Sequence, residues 1–190
     1  MSAHAAARPT AADYLAAERE AEERHEFFGG EIRAMSGASL RHGEIVWNLV
    51  ESLGPSLRAA GCRGYANDLR VRVPLCDAYF YPDLVVVCGE PQVEDDERPD
   101  TLLNPRVIVE VLSPSTEDID RGRKSACYRT LPTLDAYVVL AQDRPWGEVL
   151  VRRDAKSWLL HEIDGDAVPD AVLELPFLDL SLRLDTIYGG

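Results

Sequence analysis

The sequence predicts one α/β domain, and three observations carry that reading. Two β-branched runs, 84–88 and 107–112, are apolar almost throughout, as central strands covered on both faces are. Ile45, Leu49, Val50, Leu53 and Leu57 recur at helical spacing, so a long helix buries one face. No repeat or clear linker divides the 190 residues, a length sufficient for one substantial core.

The elements follow in order. Residues 1–10 read as a flexible tail, and the domain as 11–190. An Ala- and Glu-rich helix is expected from Thr10 to about Arg24, with Tyr14 and Leu15 as its apolar points. Gly29-Gly30 is a hairpin signal leading into a short strand from Ile32 to Met35. Ser39 is placed to cap the long helix, which Gly61 closes. Alternation in Arg70-Val71-Arg72-Val73 extends to a half-exposed strand over 65–73. The segment 89–105, with Glu94-Asp95-Asp96-Glu97 and its prolines, reads as a long, mobile acidic loop. Ser113-Pro114-Ser115-Thr116 then opens a helix of roughly Asp118 to Leu131, ended by Pro132. Strands follow at 136–140, 148–153 and 157–163, and short apolar pieces complete the chain around 172–175 and 178–184.

Composition excludes several classes. A formal net charge of -13 repels a polyanion beyond the Debye length, which argues against simple adhesion to nucleic acid. Cys62, Cys76, Cys88 and Cys127 form no C-x-x-C pair and no zinc or disulfide framework. Cys88 and Cys127 lie in or beside apolar runs, where a thiol acts as a small hydrophobe. Without an apolar leader or a membrane-length run, the expectation is a soluble, reduced, cytoplasmic protein.

The chemistry is concentrated in two carboxylates. Asp83 follows Tyr81-Pro82 at the mouth of one apolar strand, and Glu110 sits inside the other. A carboxylate in an apolar strand is costly unless a positive group meets it. If the two strands are neighbours, Asp83 and Glu110 converge and supply the oxygen ligands that Mg²⁺ or Mn²⁺ takes. The plainer account has Asp83 capping a turn and Glu110 paired with an arginine. Lys124, Cys127, Tyr128 and Leu131 share one helical face, so Lys124 points inward, where it can orient a water or steady developing charge. The alternative for Lys124 is a surface i, i+4 pair with Asp120. His42, ahead of the long helix, is a candidate for phosphate contact or proton transfer, although such a residue more often caps or packs. Glu31 is a further candidate carboxylate.

Together these residues carry a resemblance. Tyr81-Pro82-Asp83, the run Val109-Glu110-Val111-Leu112-Ser113-Pro114-Ser115-Thr116, then Asp120, Lys124 and Tyr128, then Ala136-Tyr137-Val138-Val139 resemble the Uma-two family of the PD-(D/E)XK superfamily. The upstream Glu26-Phe27-Phe28-Gly29-Gly30-Glu31, Met35-Ser36-Gly37 and His42 agree with it. The resemblance covers roughly residues 11 to 188 and implies a restriction-endonuclease-like mixed sheet flanked by helices. It implies Asp83 and Glu110 as metal ligands and a homodimer able to cut two strands. The superfamily usually carries its lysine two residues after the acid; Leu112 stands there, and the family's lysine maps onto Lys124 on the following helix.

The expected activity is that of a Mg²⁺- or Mn²⁺-dependent endonuclease acting on DNA. Two other classes compete: a catalytically idle binding or assembly module of the same fold, and a hydrolase of a small phosphorylated molecule. The arginines discriminate, because a nuclease needs a basic rim near Arg70, Arg72, Arg121 and Arg123 despite its acidic total.

Overall fold

Glu110 sits in a strand whose neighbours are nearly all apolar, and the architecture shows why such a strand is tolerated. The structure is a computed structural model describing residues 8–35, 37–95 and 97–189. Most of the tail expected over 1–10, namely residues 1–7, lies outside the described residues; Thr10 is already the cap of the first helix.

In chain order, α1 (Ala11–Glu18) leads to the hairpin β1 (His25–Phe28) and β2 (Glu31–Ala34). The long helix α2 (Leu40–Ala59) precedes β3 (Cys62–Ala66), β4 (Arg70–Val73), β5 (Ala78–Phe80) and β6 (Leu84–Cys88). Then come β7 (Thr101–Leu102), β8 (Val107–Leu112), a π-helical turn (Ile119–Lys124) and α3 (Ser125–Tyr128). The chain ends with β9 (Ala136–Ala141), β10 (Trp146–Arg152), β11 (Trp158–Asp164), β12 (Val172–Leu175), β13 (Leu180–Arg183) and α4 (Leu184–Tyr188).

A six-stranded sheet runs β11-β10-β9-β8-β6-β3, with β8 and β9 parallel and its other pairs antiparallel. A five-stranded sheet runs β2-β1-β5-β4-β7. Alternation along β8 sends Val107, Val109 and Val111 to the core beneath α2 and α4. Ile108 and Leu112 go to the opposite core, with α3 and the second sheet, and Glu110 shares their face. On α2, Ile45, Val46, Leu49, Leu53 and Leu57 are buried, each contributing roughly 1.5–3 kcal/mol.

Several expectations hold. Gly29 (φ 53°) and Gly30 (φ 85°) form the β1–β2 turn, where positive φ at both central residues suits the twist of the strands. Ser39 caps α2 by accepting the His42 amide at 3.1 Å.

Others are corrected. The strand expected over 65–73 is two strands in different sheets. Asn67, in the left-handed region at φ 53°, redirects the chain between them, which Asn tolerates better than most residues. The acidic loop 89–105 is not a free excursion. β7 pairs in parallel with β4, Val93 bridges Leu102, and Asp100 binds Arg70 and Arg19. Val50 is 38% exposed rather than buried.

The cysteines bring the largest correction. Cys62 bonds to Cys88 and Cys76 to Cys127, leaving no free thiol among the described residues. Cys62 and Cys88 are direct partners in the β3–β6 register, and the turn before β5 carries Cys76 to α3. Separations of 26 and 51 residues hide both pairs from a spacing rule. No helix among the described residues is long and apolar enough to cross a membrane.

Candidate active site

The β6–β8 pair is antiparallel, with Leu84 opposite Val109, which brings Asp83 beside Glu110 as expected. Asp83 is held at both oxygens. Oδ2 accepts the Val111 amide at 2.7 Å, and Oδ1 lies 2.9 Å from His42 Nε2. The Asp83 carbonyl accepts the Asn67 amide at 3.0 Å, tying this strand mouth to the chain's redirection point. The hydrogen bond to the Asp83 carboxylate raises the His42 pKa; burial opposes it, and the charges of Asp83 and Asp120 add to the rise.

Glu110 is buried, and its Oε1 accepts from Lys124 Nζ at 3.3 Å and from the Tyr128 hydroxyl at 3.1 Å. Burial pushes its carboxyl well above the usual range; Lys124 counteracts this, while Asp120, Asp83 and Glu26 reinforce it. Lys124 also lies 2.7 Å from Glu26 Oε1 and 3.2 Å from Asp120 Oδ1. Burial disfavours its ammonium, but Glu110, Glu26 and Asp120 outweigh burial and raise its pKa. Lys124 is therefore a fixed buried cation.

Its position depends on the local backbone. The sequence predicts one regular helix from Asp118 to Leu131, whereas 119–124 is a π-helical turn, a form frequent at functional sites. Lys124, Cys127, Tyr128 and Leu131 are all buried, so the inward face is real. Asp120 is buried with Lys124 rather than pairing with it at the surface. Asp120 Oδ1 is close to the ammonium yet forms no aligned hydrogen bond among the described residues.

These groups form the floor of a cavity of about 490 Å³. Its wall includes His42, Ser39, Asn67, Arg33, Ser113 and Ser115. Glu31 is elsewhere: it lies outside this lining and pairs with Arg123 at 3.6 Å, both largely exposed. Glu26 and Asp120 stood in the family pattern read from the sequence but were not put forward as site residues. A period-two reading of His25-Glu26-Phe27-Phe28 was available, because it places Glu26 on the face opposite buried Phe27.

The donor set fits a hard divalent cation. Asp83, Glu110, Asp120 and Glu26 offer only oxygen, and Asp120 Oδ1, buried beside the Lys124 ammonium, accepts no hydrogen bond among the described residues. Among the described residues no three acidic, histidine or cysteine side chains form a ready cage, because Lys124 fills the centre of the cluster. Such a site suits Mg²⁺, which commonly takes one or two carboxylates and completes its shell with water and substrate phosphate.

The expected basic rim does not form. Arg70 faces Asp100, Arg72 faces Asp77 and Glu94, Arg121 faces Glu117 and Glu148, and Arg123 faces Glu31.

Comparison with known proteins gives the fold and the family. A solved structure of a putative nuclease belonging to DUF820 from Anabaena variabilis superposes with a TM-score of 0.76, covering 95% of this chain and 98% of that one. At 18% identity this establishes the fold alone. The Synechocystis sp. proteins sll1609 and slr1290 are 33% and 31% identical, over 90% and 100% of this chain and 94% and 98% of their own. The model of the Uma2 family, described as "Putative restriction endonuclease", matches residues 11–185, and the chain belongs to that family.

Proposed function

We propose that this protein is a Mg²⁺- or Mn²⁺-dependent endonuclease that hydrolyses DNA phosphodiester bonds by direct water attack. The observation that carries the proposal is the buried cluster of Glu26, Glu110 and Asp120 around Lys124, beside Asp83 on the floor of an open cavity. Family membership and a nuclease-like fold support it.

Asp83 and Glu110 would hold the metal, which supplies Lewis-acid polarisation of the phosphoryl group and a more acidic water. Tyr128 and Lys124 both donate to Glu110 Oε1, so the carboxylate keeps one orientation. The Val111 amide does the same for Asp83, and His42 keeps a proton at Nε2 towards Oδ1. Lys124, charged and nearly immobile, orients the attacking water and steadies charge on the phosphate as it develops. A homodimer is the assembly proposed for cutting both strands of a duplex.

The test is cleavage of supercoiled and single-stranded DNA with Mg²⁺, Mn²⁺ or EDTA, using wild type beside Glu110→Gln. Metal-dependent cutting lost in the variant is expected; equal cutting by both refutes the assignment.

One observation favours the other readings. Arg70, Arg72, Arg121 and Arg123 are occupied by carboxylates on a chain of net charge -13. This supports an idle binding module, and it penalises a small phosphorylated substrate less than a long polyanion. An idle module binds no divalent ion specifically, so a tight calorimetric Mn²⁺ site excludes it.

A further inference from the structure

Across the β1–β2 hairpin, Glu26 stands opposite Arg33 and Phe28 opposite Glu31. Cross-strand partners and alternate residues share a side, so these four side chains form one face. The π-helical turn meets that face with two cations. Lys124 takes Glu26 at 2.7 Å, and Arg123 takes Glu31 at 3.6 Å while its guanidinium sits 4.4 Å from the Phe28 ring centre.

Both acids are thus satisfied, and Arg33 is left over. It is exposed, lines the cavity that holds Asp83, Glu110 and Lys124, and forms no ion pair among the described residues. Its cross-strand neighbour Glu26 leans to Lys124 instead. Of the cavity's other basic groups, Lys124 is held by Glu26, Glu110 and Asp120 and His42 by Asp83, so the Arg33 guanidinium is the one open to an incoming anion. Ser113 and Ser115, with hydroxyls 3.0 Å apart, add neutral donors to the same wall.

We propose that Arg33 is a substrate-binding residue that grips a phosphate next to the one attacked. Its planar fork matches two non-bridging oxygens, a geometry that lysine cannot reproduce. This rests on the phosphodiesterase reading for the class of substrate, but not for the anion chemistry.

The experiment measures binding of a fluorescent deoxyoligonucleotide in EDTA by anisotropy, and of inorganic phosphate by NMR. Wild type is compared with Arg33→Gln, Arg33→Lys and Arg153→Gln, the last an exposed arginine outside the cavity. Arg33→Gln is expected to weaken oligonucleotide binding roughly tenfold or more. It should also flatten the slope of log affinity against log salt by about 0.7 for a single strand. Arg33→Lys should fall between, and Arg153→Gln should match wild type. In cleavage, Arg33→Gln should raise KM more than it lowers kcat.

Unchanged binding in Arg33→Gln overturns the inference, even if wild type cuts DNA. Failure of wild type to bind either probe overturns it as well. Binding lost in Arg33→Gln while wild type cuts nothing keeps the phosphate contact and rejects the nuclease. Phosphate binding alone, lost in the variant, keeps the contact and moves its ligand to a small phosphorylated molecule.

Discussion

Replacing Lys124 by Met removes the cation that Glu26, Glu110 and Asp120 share while keeping the length and apolar stem of the side chain. Side-chain exposures of 6% for Lys124 and 13%, 5% and 3% for its three partners leave water little access to take its place. Removing one member of a buried charge pair costs about 3–5 kcal/mol, because the partner stays behind uncompensated. For a domain of this size that lowers Tm by roughly 6–20 °C. The pH dependence has a definite sign. Without the ammonium, Glu110 is pushed further above its unfolded pKa of about 4.3. A carboxyl raised in the folded state costs nothing while both states hold the proton, and its penalty grows as pH rises past the unfolded value. The gap between variant and wild type should therefore be larger at pH 8 than at pH 5. Urea unfolding followed by circular dichroism at both pH values measures it. A gap under about 1 kcal/mol at pH 8, or one equal at the two pH values, refutes the claim that this cluster is mutually dependent.

Three further outcomes are expected. Cys76→Ser with Cys127→Ser opens a 51-residue link and should cost about 4 kcal/mol by loop entropy, read by denaturant titration, while unfolded, unreduced wild type shows no reactive thiol. Gly147→Ala should destabilise by roughly 1–3 kcal/mol in thermal unfolding, because the new methyl meets the Val139 carbonyl at 2.6 Å and Leu140 at 2.7 Å. Burial opposes ionisation of Asp100, but hydrogen bonds from Arg19, Arg70 and Thr101 lower its pKa to about 2. Its contribution is present above the unfolded value of about 3.9 and lost as pH falls towards 2, so Asp100→Asn and wild type should converge in acid titrations of stability.

The sequence revealed what local rules govern. Gly29-Gly30 announced its hairpin, Ser39 its cap, and the uninterrupted apolar run around Glu110 a strand covered on both faces. Glu110 was legible because it breaks an apolar run that is costly to break, Asp83 because it stands at the mouth of a buried strand, and Lys124 because it shares a helical face with Cys127, Tyr128 and Leu131. The rest depended on distance in the chain. Glu26 acquires its neighbour only because the β1–β2 hairpin of the second sheet packs against the turn that carries Lys124, and Asp120 becomes buried only because that turn faces the core. The cysteine pairs are set by the β3–β6 register and by the fold around β5, which no spacing motif encodes.

Glu26 belongs to the five-stranded sheet, whereas Glu110 and Lys124 belong to the six-stranded sheet and its following helix. The groups proposed to do chemistry are therefore also the bolt between the two halves of the molecule. A relative that had given up catalysis would still need that bolt, and would keep an intact-looking centre for purely mechanical reasons. The glutamate–lysine set thus serves the proposed chemistry and the cohesion of the fold at once, and Arg33 on the cavity wall, which forms no ion pair among the described residues, is where the two roles can be told apart.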